Sequence, residues 1–227
     1  MPMDITTTDH SLLRLLQLSS VSLPVGGFAF SQGLEYAIEA GWVSDAESTA
    51  TWIEDQLFFS LASTDLPLLQ FSMAAEAEGD IARLKLLNEI ALACRETKEL
   101  HLTDTAMGEA LARLLRQLDE TLLWQVGQPV SFVVLFAWVA SRWQISEQAA
   151  GLGLLWSWLE NQVAAATKLV PLGQTQAQQL LIRLQPTLSE VLARSAQVEL
   201  DQVGASLPGL ALASARHETQ YTRLFRS

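Results

Sequence analysis

The chain has 227 residues, of which 49% are hydrophobic and 17% charged, so it can build a large core and is not a disordered segment. Its 25 acidic residues against 14 basic ones give a net charge of −11, a surface that repels a phosphate backbone and excludes nucleic acid as a partner. The single cysteine, Cys94, excludes an internal disulfide framework and fits a reducing, cytoplasmic compartment.

In chain order, residues 1–9 are polar and hold no basic stretch followed by an apolar one, so no signal peptide is read there. Breaks are expected at Pro24-Val25-Gly26-Gly27 and at Gly41. Ser44 with Glu47 fits a capping box, and Ile53, Leu57 and Leu61 then make a short helical stripe. Asp65-Leu66-Pro67 and Gly79-Asp80 mark the next breaks, before the stripe Leu84, Leu87, Ala91 and Cys94. Met107, Leu111, Leu114, Leu115 and Leu118 share one helix face, with Glu109, Arg113, Arg116 and Glu120 opposite.

After a break at Gly127-Gln128-Pro129, residues 130–140 are almost wholly apolar. Arg142 and Gln144 end that run well short of the ~20 residues a membrane span needs, so it predicts a buried helix and no membrane span. Ser146 is the expected N-cap of a helix carrying Leu152, Leu155, Trp156, Leu159 and Val163 on one face. Further breaks are read at Pro171-Leu172-Gly173, at Gln185-Pro186, where Thr187 with Glu190 fits a second capping box, and at Leu207-Pro208-Gly209. Alternating period-2 segments are absent. The expectation is an all-α fold, a single-domain bundle of about nine or ten helices with short connections and a flexible C-terminal tail. Residues 1–215 form the domain and 216–227 a partner-binding tail.

Catalytic patterns are missing. There is no Gly-Lys pair for a phosphate loop. His10, His101 and His217 lie too far apart in sequence to read as a metal site, so no metal ligand and no cofactor is assigned. Cys94 reads as a small core residue and the seven tryptophans as core packing. Glu35 and Glu39, at i and i+4, either share a cation or form a solvated acidic face; the second reading is favoured.

Two segments depart from this plain helical pattern. The first, residues 23–35, packs Leu23, Pro24, Gly26, Gly27, Phe28, Phe30, Ser31, Gly33 and Glu35 into thirteen positions, denser than a helix–helix turn requires. The second is the C-terminus, 216–227, which carries a net charge of +2 against −13 for the rest of the chain. Such a tail either folds back on the acidic body or orders on a partner. Tyr221, Leu224 and Phe225 beside Arg223 and Arg226 are residue types enriched at interface hot spots, which favours the partner.

With these segments in view, the chain resembles the urease accessory protein F family. Leu-Pro-Val-Gly-Gly-Phe-Ala-Phe-Ser-Gln-Gly-Leu-Glu at 23–35, followed by Ala40-Gly41-Trp42-Val43, matches the family's opening signature. Arg95-Glu96-Thr97, Met107-Gly108 and Pro171-Leu172-Gly173-Gln174 match its middle elements, and His217-Glu218 with Arg223-Leu224-Phe225 matches its ending. The chain departs from the family in Lys168, where many members carry Arg, and in Gln176, where many carry an acidic residue.

The resemblance implies an all-α, non-catalytic homodimer that serves nickel insertion into urease. It implies binding of the accessory protein D (called H in some systems) and recruitment of the GTPase accessory protein G to the urease apoenzyme. The partner-binding residues it carries are His217, Glu218, Tyr221, Arg223, Leu224 and Phe225 of the tail, with the glycine-rich segment as companion surface. The alternative is direct activation of that GTPase by an inserted arginine, with Arg95, Arg142 and the tail arginines as candidates. A nickel passage through the chain would need a polar, water-sized cavity near the dimer centre, with Glu35 and Glu39 as its expected lining.

Overall fold

The computed structural model describes residues 9–204 and 207–227, and among them every regular element is helical. The polar stretch at 1–9 read as lacking a signal peptide lies outside the described residues except for Asp9. Ten α-helices follow in order: α1 Asp9–Leu18, α2 Leu34–Glu39, α3 Ala46–Gln56, α4 Asp65–Glu78, α5 Ile81–Ala93, α6 Lys98–Gln117, α7 Phe132–Arg142, α8 Glu147–Leu169, α9 Gln174–Ser195 and α10 Pro208–His217. A π-helical turn, Leu57–Leu61, extends α3, and 3₁₀ turns occupy Gly27–Ala29 and Leu200–Gln202. This is the expected all-α bundle with short connections.

α7 is the centre. Its residues from Val133 to Ala140 are all buried, as an almost uninterrupted apolar run dictates, and it packs against α4, α6, α5 and α8. α8 joins two hydrophobic clusters. Leu155, Leu159 and Val163 of the predicted stripe belong to the main core, with Leu152 and Trp156 half-buried at its edge. Further along α8, Ala165 and Ala166 enter a smaller cluster with Leu34, Ala37, Val43, Val170 and Phe225. No helix among the described residues is long and apolar enough to cross a membrane.

Helix ends follow local chemistry, with two corrections. The capping box before α3 is formed by Asp45 and Ser48, one residue later than the Ser44–Glu47 reading. Glu47 instead takes both guanidinium nitrogens of Arg183, a contact that holds its carboxyl below the usual range. The expected break at Gln185-Pro186 is not there: α9 runs unbroken through Pro186, and Thr187 and Glu190 lie inside it. Pro186 lacks the N–H that would reach the Ile182 carbonyl. Both residues are exposed, so water can take the orphaned acceptor. Ser146 caps α8 as expected, accepting from the Ala149 N–H.

Candidate partner interface

Residues 23–35 turn along one side of α8, and glycines make that path possible. At Gly27 a Cβ would come within 3.0 Å of Asn161 Nδ2 on α8. Gly33 combines a positive φ of 84° with contacts of 3.3 Å to Ala213 and Leu210, so a side chain there would be strained and would push α10 away. Between them Phe30 is buried and Phe28 points outward, 63% exposed. Gln32 accepts from the Trp158 indole N–H at 2.9 Å, fixing the segment to α8.

The tail lies along this segment. The N–H groups of Leu224 and Phe225 donate to Glu35 Oε1 and Oε2 at 2.6 and 2.9 Å, and the Arg226 N–H donates to the Ala29 carbonyl at 2.8 Å. The Ser227 carbonyl accepts from the Ser31 N–H, the Ser31 hydroxyl and the Gln32 N–H. Phe225 enters the smaller core cluster, with the Lys168 ammonium 5.2 Å from its ring centroid. The position where the family often has Arg is thus occupied by another cation that can sit over the same aromatic face. Burying a Phe side chain is worth about 1.5–3 kcal/mol, enough to seat a short irregular segment.

Beneath the tail is a buried charge cluster. His217 has no exposed surface; its Nδ1 lies 2.8 Å from Glu99 Oε2 and its Nε2 lies 3.0 Å from Glu35 Oε2. The Arg223 guanidinium donates to Glu99 Oε1 at 2.6 Å and to the Arg226 carbonyl. Thr103, one turn beyond Glu99 on α6, shares a hydrogen bond of 2.6 Å with the Ser227 hydroxyl.

The structure therefore brings together Phe30, Ser31, Gly33, Glu35, His217, Arg223, Leu224 and Phe225. Much of this set faces inward: His217, Phe225, Glu35, Ser31, Gly33 and Phe30 hold the two segments to each other. Leu23 packs half-buried on the main core, and Gly26 takes a left-handed turn before the 3₁₀ segment. The outward residues are Pro24, Phe28, Glu218, Tyr221, Arg223 and Leu224. α10 carries the chain across residue 215, so the expected domain boundary falls within a helix. Glu99, Thr103 and Ser227 were not among the expected site residues. A buried carboxylate carries no mark in sequence, although Glu99 stands only two residues after the Arg95-Glu96-Thr97 motif.

That motif is structural. Arg95 donates to Asp65 Oδ1 at 2.7 Å and to Asp104 Oδ2 at 3.0 Å. Burial works against its charge, but Asp104 and Asp65 more than offset it and push its pKa above the ordinary arginine value. Thr97 caps α6 through the Leu100 N–H and shares a hydrogen bond with Ser214 of α10. Gln176 accepts from the Gly173 N–H at 2.9 Å, which an acidic residue at that position could also do.

A cavity of about 110 Å³ opens beside Arg95, lined among others by Gln32, Gln56, Ser60, Asp65 and Asn161. Its wall is more apolar than polar, with Leu61, Met107, Phe132 and Leu154 beside those groups, and it is roomier than a single water needs. Glu35 and Glu39 are not in that wall: Glu35 is committed to the tail and Glu39 is exposed. Cys94 lies at its edge, where burial pushes the thiol above its ordinary pKa, away from reactivity. No group of three or more His, Cys, Asp or Glu able to hold a metal occurs among the described residues.

The family model UreF matches residues 43–185. The urease accessory protein UreF of Marinomonas sp. (strain MWYL1) is 58% identical over 224 residues, 99% of this chain and 97% of its own length. Those of Alkalilimnicola ehrlichii and Hahella chejuensis are 46% and 45% identical over 94% and 96% of this chain, and 95% and 98% of theirs. These names describe accessory proteins and not enzymes. The family model covers the middle of the chain and the Marinomonas relative aligns over nearly all of it, and on this the chain belongs to the UreF family of urease accessory proteins.

Proposed function

We propose that this chain acts in urease maturation as a non-catalytic scaffold, in the cytoplasm and as a homodimer. Its docked C-terminus binds the accessory protein D (or H), and the complex recruits the GTPase accessory protein G to the urease apoenzyme for nickel insertion. The observation that carries the reading is the outward face of the docked tail. Tyr221 is fully exposed and Leu224 and Phe28 are each 63% exposed, while the backbone beneath is fixed by buried bonds. A preformed apolar face rimmed by Arg216, Arg223 and Arg226 is matched to a partner surface that offers apolar pockets and carboxylates.

Because these side chains are exposed, they can be changed without disturbing the core. Tyr221→Ala combined with Leu224→Ala is expected to weaken the complex with the D-type protein at least tenfold, about 1.4 kcal/mol, with an unchanged Tm. Co-purification and titration calorimetry read the result. Wild-type affinity from the double variant would overturn the assignment of this face.

A second reading, activation of the G-type GTPase by an arginine of this chain, gains focus from the ion pairs. Arg95 is spent on Asp65 and Asp104, and Arg142 is held by Glu120 and Glu76 over the Trp138 ring. Arg216, exposed in the last turn of α10, stays available. Under this reading, single-turnover GTP hydrolysis by the G-type protein rises when the chain is added and loses that rise with Arg216→Ala. An equal rate with and without the chain leaves recruitment alone.

A further inference from the structure

Among the ties between the tail and the body is a group of charges that contains a buried histidine with a carboxylate on each side. A neutral imidazole carries hydrogen on one ring nitrogen only. In either tautomer of His217, the other nitrogen would turn a lone pair toward a carboxylate oxygen at 2.8 or 3.0 Å. An imidazolium donates on both sides and meets two acceptors. The carboxylates act as acceptors elsewhere too. Glu35 receives the N–H groups of Leu224 and Phe225, and Glu99 receives the Arg223 guanidinium.

The charges facing His217 can be counted by element. α2 supplies Glu35, α6 supplies Glu99, and the tail supplies Arg223 through Glu99. α8 contributes Lys168, which reaches the cluster only through the Phe225 ring. Arg216 and Glu218, the neighbours of His217 in sequence, are exposed. With an imidazolium the group holds two negative and two positive charges, Arg223 lying partly exposed at its edge. With a neutral ring it holds an uncompensated negative charge out of water, a costly arrangement.

We infer that Glu35 and Glu99 are positioning residues that clasp His217 as an imidazolium, and that this proton holds the tail in the direction that presents Tyr221 and Leu224. The inference rests on the docking reading for its purpose, but its physical content belongs to this chain alone. The sign follows from the bonds. Raising the pH removes the ring proton, breaks one of the two ring bonds and loosens the tail.

Two measurements on the full chain without any partner test it. Long-range ¹⁵N–¹H NMR with ¹⁵N-labelled histidine reads each ring nitrogen; both nitrogens of His217 are expected in the protonated form at pH 7. A single protonated nitrogen there would overturn the clasp. Tryptic cleavage of the Arg223–Leu224 bond, normalised to a free peptide of the same sequence, is expected to accelerate as the pH is raised. Glu99→Gln should accelerate it roughly tenfold or more at pH 6.5, the effect of removing a buried bond between charged groups. His217→Gln should abolish the pH dependence, and an unchanged pH dependence in that variant would also defeat the inference. A failed clasp leaves the partner-binding result standing, and a failed co-purification leaves the NMR result standing.

Discussion

Arg95→Ala is expected to lower the free energy of unfolding by about 3–5 kcal/mol, the cost of removing one member of a buried ion cluster and leaving the others uncompensated. The side chain is 15% exposed, Asp65 17% and Asp104 6%, so water can do little to replace it. Its position magnifies the loss. Asp65 is the first residue of α4, and Asp104 Oδ1 also accepts the N–H of Phe132, the first residue of α7. One guanidinium thus joins the starts of two core helices to the middle of α6. Arg95→Lys should recover only part of the loss, because a single ammonium cannot serve both carboxylates with the same fork of donors. Urea unfolding measures it: a shifted midpoint at constant slope is expected, and a loss below about 1 kcal/mol would show that the two carboxylates are solvated after all. The same geometry removes Arg95 from the candidate arginine fingers.

How much of this could be read from the residues depends on the kind of signal. α7 was legible because a run with almost no polar residue can only be buried, and α8 because its stripe repeats at helical spacing. Pro186 misled because proline disfavours a helix partly through a lost hydrogen bond, and at an exposed position solvent can satisfy the carbonyl that bond leaves. Ser44 and Asp45 are both good caps, and residue type alone did not decide between them. At the interface the residues of both segments could be chosen, and their pairing with each other follows from the fold. Their direction was not legible. Glu35 and Glu99 resemble any other glutamate on an acidic chain, and only the packing of α2, α6 and α10 shows that both are buried against one histidine.

Gly108→Ala is the second substitution with a large expected effect, a net loss of about 3 kcal/mol. Two effects oppose each other. Replacing a mid-helix glycine by alanine gains about 1 kcal/mol of helix propensity. Against that, a Cβ at 108 would sit 2.0 Å from the Val130 carbonyl oxygen and 3.0 Å from the Phe132 nitrogen. Overpacking costs about 1–3 kcal/mol when side chains can shift, and more when they cannot. Here the obstacle is backbone, and it is pinned. Asn88 accepts from the Ser131 N–H and donates to the Pro129 carbonyl, while Asp104 accepts from the Phe132 N–H. Moving the segment aside would break a bond from a buried carboxylate as well, so the clash outweighs the propensity gain. Gly209→Ala is the control: this glycine also lies in a helix, with nothing among the described residues within 4 Å of the new methyl, and the change should be neutral or slightly stabilising. Denaturant midpoints of the two variants separate the effects, and equal midpoints would mean that residues 129–132 yield freely. Since α6 also carries Glu99 and Thr103, its seat against α7 sets where the tail finds its anchors. A Gly108→Ala chain that still folds is therefore expected to hold Tyr221 and Leu224 less firmly than the wild type, which the tryptic assay at Arg223 would register.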